Sequence, residues 1–138
     1  MMNPTGKPIR NDSGGAGYYG APRSKMVGGK KVSYAHAGVD LQCDPGQRVL
    51  MPFTGRVVRV AKPYAGDYYS GLYLSGKKMD LKMFYIMPDM ALVGKVVKEG
   101  EVIGYAQDIS KKYEGVTPHV HLEIVKCDPE IFLREVKS

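Results

Sequence analysis

From Tyr34 onward the chain consists of short apolar runs cut by turn-forming residues, and this punctuation narrows the folds open to it more than any other feature. Seventeen glycines and nine prolines stand among β-branched and aromatic residues. Such a mixture joins short strands through turns and does not build packed helices. A first run at 34–41 is followed by the turn Asp44-Pro45-Gly46. Strands are then predicted at 48–51, 55–61, 71–75, 80–87, 101–107 and 120–125. That spacing describes a mainly β fold, with antiparallel sheets in a sandwich or rolled-sheet domain.

The run at 80–87 is nearly all apolar and reads as a central strand covered on both faces. Asp128 and Pro129 supply a cap and a first-turn proline for one short helix at 128–136, through Ile131, Phe132 and Leu133. Residues 1–30 are rich in Gly, Asn, Ser and Pro and read as a loop-rich N-terminal arm, whose Tyr18 and Tyr19 would pin it to the domain or line a groove. Pro45-Gly46-Gln47-Arg48-Val49 is echoed by Lys98-Glu99-Gly100-Glu101-Val102, each before a strand, as two related hairpin units would require.

A chain of 138 residues suits a single domain, 1–138, with its β core at 34–126. The net charge of +6, from 20 basic against 14 acidic residues, favours anionic surfaces such as nucleic acid, acidic lipid or bacterial wall polymers, which charge alone does not separate. The basic residues are spread out, with Lys-Lys pairs at 30–31, 77–78 and 111–112, so a solvated basic face is expected and no specific nucleic-acid partner. No apolar run approaches the ~18 residues of a membrane span. Residues 1–6 lack the apolar stretch of a signal peptide. Cys43 and Cys127 allow one mutual bridge and read as two free buried thiols.

All three histidines fall in two short segments, His36-Ala37-Gly38-Val39-Asp40 and His119-Val120-His121-Leu122-Glu123. On a strand, residues two apart share a face, so His119, His121 and Glu123 project together. His36 and Asp40 would lie ~13 Å apart on an extended strand, so both can reach one ion only if the strand bends, which Gly38 permits. His36, Asp40 and one histidine of the second segment would give three nitrogen and oxygen ligands with a fourth position open to water, as at a catalytic zinc site. Zinc fits this donor set better than nickel or copper. The remaining histidine would stand beside the water as a proton acceptor, a role open to His119 if His121 is the ligand. Glu123 is either an acceptor for the ligand's second ring N–H or an ordinary exposed carboxylate.

The paired segments, His-x-Gly-x-Asp and His-x-His-x-Glu, resemble the motifs of the lysostaphin-type zinc endopeptidases. The resemblance extends over 17–126, through Tyr19-Gly20-Ala21-Pro22-Arg23, the proline and glycine turn segment at 46–58, and the later hairpin at 97–104. It implies a β fold with a zinc groove of the duplicated hybrid-motif type, Zn2+ held by His36, Asp40 and His121, and a catalytic His119. It further implies hydrolysis of peptide cross-bridges in bacterial peptidoglycan.

The chain departs from the family pattern once: Tyr85-Ile86-Met87-Pro88 replaces a Tyr-x-His segment, and Met87 can neither bind nor move a proton. The segments at 82–88 and 117–121 also resemble the leukocyte cell-derived chemotaxin branch of the family, regarded as zinc-binding signalling proteins. That branch implies the alternative of an inactive zinc-binding module that binds wall or protein partners. It carries three disulfides, whereas here only Cys43 and Cys127 stand at its cysteine positions. A phage or bacterial protein acting at the wall or in the periplasm, within a virion or a cell-wall assembly, accords better with these features.

Overall fold

The computed structural model describes residues 1–12, 15–17, 22–35 and 38–127, with backbone alone at 12, 15–16, 22–27, 31–35 and 126–127. In chain order the strands are β1 (Asn11–Asp12), β2 (Gly15–Ala16), β3 (Pro22–Val27), β4 (Lys30–Ala35), β5 (Val39–Gln42), β6 (Arg48–Leu50) and β7 (Gly55–Val60). There follow β8 (Gly71–Gly76), β9 (Met79–Phe84), β10 (Ile86–Pro88), β11 (Val96–Val97), β12 (Val102–Ala106) and β13 (His119–Cys127). Short 3-10 turns at Met90–Leu92 and Ile109–Lys111 start at Asp89 and Asp108, whose carboxylates cap them.

Six strands form one antiparallel sheet in the order β11-β7-β8-β9-β13-β5, and three form a second in the order β10-β12-β6. One core serves both sheets. Val57, Leu72, Leu74, Leu81, Met83, Val120 and Leu122 enter it from the larger sheet, and Val49, Ile86 and Ile103 from the smaller. The mainly β architecture of antiparallel sheets is the one expected, with β1–β2 and β3–β4 as two further two-stranded pairs. The two echoing segments meet as neighbours, since Gly46 and Gly100, both at positive φ, precede β6 and β12, which pair with each other. At Asp44–Gln47 the Gln47 N–H donates to Asp44 O at 2.9 Å, closing the expected turn over Pro45 and Gly46.

Three expectations need correction. The run at 80–87 is not one strand. β9 ends at Phe84, Tyr85 takes a left-handed backbone (φ 72°), and β10 continues in the other sheet opposite β12. A tyrosine holds this costly conformation only where its surroundings fix it. Here its N–H donates to Ser70 O, its hydroxyl is bonded to that of Tyr64, and its ring meets those of Tyr69 and His119. Nor is β9 apolar on both faces: Met79, Leu81 and Met83 are buried, while Asp80, Lys82 and Phe84 alternate with them half-buried.

The third correction concerns residues 1–30, which are not simply a loop-rich arm. β3 and β4 form a hairpin with Val27 opposite Lys30, and Gly28 and Gly29 both stand at positive φ. That is the two-residue connection whose twist suits a hairpin. Residues 2–9 run along the sheet edges. The amides of Met2 and Leu50 bond Pro52 O and Pro4 O, that of Gln42 bonds Pro8 O, and Ile9 bridges Leu41. Cys43 is free and buried, with its thiol pKa pushed up to about 11 chiefly by burial. The Cys127 side chain, the 18–19 tyrosine pair and the helix expected at 128–136 lie outside the described residues.

Leu72, fully buried in β8 between β7 and β9, tests the shared core. Leu72→Ala should lower the unfolding free energy by about 2–5 kcal/mol. Urea denaturation followed by circular dichroism would measure the loss.

Candidate metal centre

Pairing of β5 with β13 and of β13 with β9 puts Asp40, His121 and Phe84 in one row across three strands. Along β13, Val120 and Leu122 turn into the core, so His119, His121 and Glu123 lie on the opposite face of the sheet. The shared face expected for these three residues is therefore present. Asp40 and His119 are nonetheless almost inaccessible, at 2% and 4%.

His121 Nδ1 lies 2.8 Å from Asp40 Oδ1, and His119 Nε2 lies 3.6 Å from Asp40 Oδ2. The Phe84 ring stacks on His121 at 5.8 Å between centroids, and the Tyr85 ring meets His119 edge-on at 5.4 Å. His119 Nδ1 stands 2.7 Å from Thr117 O. A carbonyl only accepts, so Nδ1 carries the proton and Nε2 is the basic nitrogen of the neutral ring. His121 Nε2 is 3.5 Å from Glu123 Oε1, a long contact for the expected carboxylate partner.

Burial lowers the pKa of His119, against a partial counter-effect from Asp40 and the Thr117 carbonyl. Burial also presses on His121, but its hydrogen bonds to Asp40 and Glu123 outweigh it and raise the pKa. One face of the sheet thus holds a histidine biased toward neutrality beside another biased toward the cation. On the segment leaving β9, burial pushes the Tyr85 hydroxyl up to about 12.

Gly38 itself lies outside any strand, with β5 beginning at Val39. A Cβ on Gly38 would lie 2.2 Å from Leu122 O and 2.8 Å from His121 Cε1 and Nε2. Only glycine lets the backbone pass so close to that ring. His36 lies outside the described residues. Among the described ones, Asp40 and His121 offer one oxygen and one nitrogen converging from neighbouring strands, with His119 beside them. Two donors on one tetrahedral zinc stand roughly 3.3 Å apart, so this pair would need to separate by about half an ångström to admit the ion.

Met87 lies on β10, opposite Tyr105 in the smaller sheet, and is 49% exposed. Sequence reasoning overlooked Arg10, whose Nε is 2.8 Å from Asp40 Oδ2 and which is itself 5% exposed. It also missed a string of hydroxyls, with Tyr85 bonded to Tyr64 at 2.7 Å and Tyr113 donating to Tyr64 at 2.9 Å. Neither signal is local, since 30 residues separate Arg10 from Asp40.

Residues 34–131 match the model of peptidase family M23. The chain belongs to peptidase family M23. It is similar to leukocyte cell-derived chemotaxin-2 of Bos taurus, 35% identical over 127 residues that cover 88% of this chain and 76% of that protein. Against the Mus musculus protein of the same name it is 38% identical over 119 residues, 85% of this chain and 71% of the relative. The catalytic domain of the antimicrobial peptidase lysostaphin from Staphylococcus simulans superposes with a TM-score of 0.53 at 22% identity, over 90% of this chain and 92% of that one. This second likeness is one of fold. The M23 chain is accordingly a peptidase-like module with a lysostaphin-like β architecture.

Gly38→Ala tests the close approach at the bend of this M23 domain. The added methyl group should cost about 1–3 kcal/mol of stability through overpacking against Leu122 and His121. Chemical denaturation of the metal-free protein would measure it.

Proposed function

We propose that this M23 domain is a zinc-dependent endopeptidase acting on the peptide cross-bridges of bacterial peptidoglycan, with His36, Asp40 and His121 as metal ligands and His119 as the proton acceptor. The observation that carries this reading is the convergence of Asp40 Oδ1 and His121 Nδ1 at 2.8 Å, with His119 Nε2 on the same carboxylate. M23 peptidases are generally zinc-dependent, which accords with the donor set.

Zinc bound at three such ligands would supply a water acidified toward neutrality. The chain's own residues supply the rest. Thr117 holds the His119 tautomer so that Nε2 can take a proton, and burial keeps that ring neutral until it does. Glu123, near His121 Nε2, would steady the ligand ring from behind. Wall peptides reached from a virion or a cell-wall assembly suit the basic surface.

Zinc-loaded protein incubated with bacterial sacculi should release new peptide termini between pH 6 and 9. His119→Ala should lower that rate by roughly 10²–10⁴-fold while the zinc content stays at that of the parent. Absence of cleavage by the zinc-loaded parent would overturn the peptidase reading.

A second reading, a zinc-supported binding module without catalysis, is favoured by Met87 at the position where the family pattern has a histidine. Loss of one oxyanion donor costs about 10²–10³ in rate. Under this reading the protein is retained on sacculi or a protein partner without cutting, and Met87→His leaves the rate at zero. If the groove is otherwise assembled, Met87→His should raise a measurable parental rate, as peptide release by chromatography would show.

A further inference from the structure

Arg10 is a charged side chain sealed inside the protein, against a carboxylate that is sealed even more completely. Three backbone bonds fix it there. The Arg10 amide donates to Asp40 O at 3.0 Å, the Gly17 amide to Arg10 O at 2.7 Å, and the Asp40 amide to Gly17 O at 2.7 Å. Gly17 is packed so tightly that a Cβ would meet Arg10 Cγ at 2.7 Å and Asp40 Cβ at 2.8 Å. The backbone bonds among Arg10, Gly17 and Asp40 thus hold this one guanidinium against the carboxylate.

A buried ion pair is a poor stabilising device, because desolvation offsets its attraction and an apolar pair of similar volume serves as well. What the pair does to Asp40 is more specific. Its Oδ1 faces the imidazole of His121, while Oδ2 takes the Nε of Arg10 at 2.8 Å, with His119 Nε2 farther off at 3.6 Å. We propose that Arg10 is a positioning residue for the metal centre: by occupying Oδ2, it limits Asp40 to offering a divalent cation a single oxygen, Oδ1.

Guanidinium chemistry suits the task, being planar, directional and permanently charged. One carboxylate oxygen with imidazole nitrogens makes a compact tetrahedral site that favours zinc. A carboxylate free to chelate with both oxygens raises the coordination number and favours larger, oxygen-seeking ions such as calcium or manganese. Arg10 would therefore set both coordination number and metal choice. The inference rests on the zinc reading proposed above.

The test uses the full chain loaded with cobalt(II), whose visible absorption is intense when four-coordinate, weaker when five-coordinate and weakest when six-coordinate. The parent protein should bind one equivalent and give the intense spectrum. Arg10→Met, which keeps the stem and removes the donor, should lose most of that intensity, and Arg10→Lys, which still reaches Oδ2 with a cation, should recover it. One bound equivalent with the same intense spectrum in Arg10→Met as in the parent overturns the role of Arg10 and leaves the zinc reading standing. Failure of the parent to bind one equivalent overturns both. Should Arg10→Met not fold, infrared difference spectra of the parent labelled with carboxyl-13C aspartate decide the matter. On addition of zinc, a widened separation of the carboxylate stretches marks one-oxygen binding and supports the inference, whereas a narrowed one overturns it.

Discussion

The register between β5 and β13 is the constraint on which the site depends. Asp40 stands opposite His121 because Val39 pairs with Leu122 and Leu41 with Val120, and Val120 and Leu122 are committed to the core on the other face. A slip of one residue would turn the histidines inward and the apolar side chains outward. Burial of Val120 and Leu122 therefore also places the carboxylate and the two imidazoles. The hydrophobic core and the polar face are two sides of one pairing decision.

That link explains which parts of the site were legible in the sequence. Alternation along a strand is local, so His119-x-His121-x-Glu123 announced a common face without knowledge of any neighbour. Gly38 announced a break because a glycine between two potential ligands has few other uses on a strand. Arg10 announced nothing. Its role exists only because residues 8–10 and Gly17 lie along the edge of β5, and that is a tertiary event. The hairpin of β3 and β4 is hidden differently, since its two glycines suit a loop and a tight connection equally, and only the pairing of Val27 with Lys30 distinguishes them.

Tyr85 shows the opposite failure, where local preference pointed the wrong way. An apolar run at 80–87 has every propensity for one strand, and a left-handed tyrosine is disfavoured in isolation. Packing overrides this. The chain has to leave the six-stranded sheet after Phe84 so that Ile86 can enter the core from the smaller sheet, opposite Ala106. Met87 is carried to the surface beside Tyr105 as a result, and the side chain of this segment that borders the histidines is Tyr85.

The two histidines illustrate how one carboxylate can assign different tasks to chemically identical groups. Asp40 Oδ1 holds His121 directly, and Asp40 and Glu123 together outweigh the effect of burial on that ring. Asp40 Oδ2 is engaged by Arg10 and lies farther from His119, so burial prevails there and the neutral form is favoured, with its proton on the nitrogen that faces Thr117. A neutral ring with one basic nitrogen is what a proton acceptor requires, whereas a ring tied to a carboxylate beside a glycine-lined bend is what a ligand requires. On the proposed reading, the division of labour follows from which oxygen of Asp40 each partner can reach. Arg10 enforces that division by removing one oxygen from the choice.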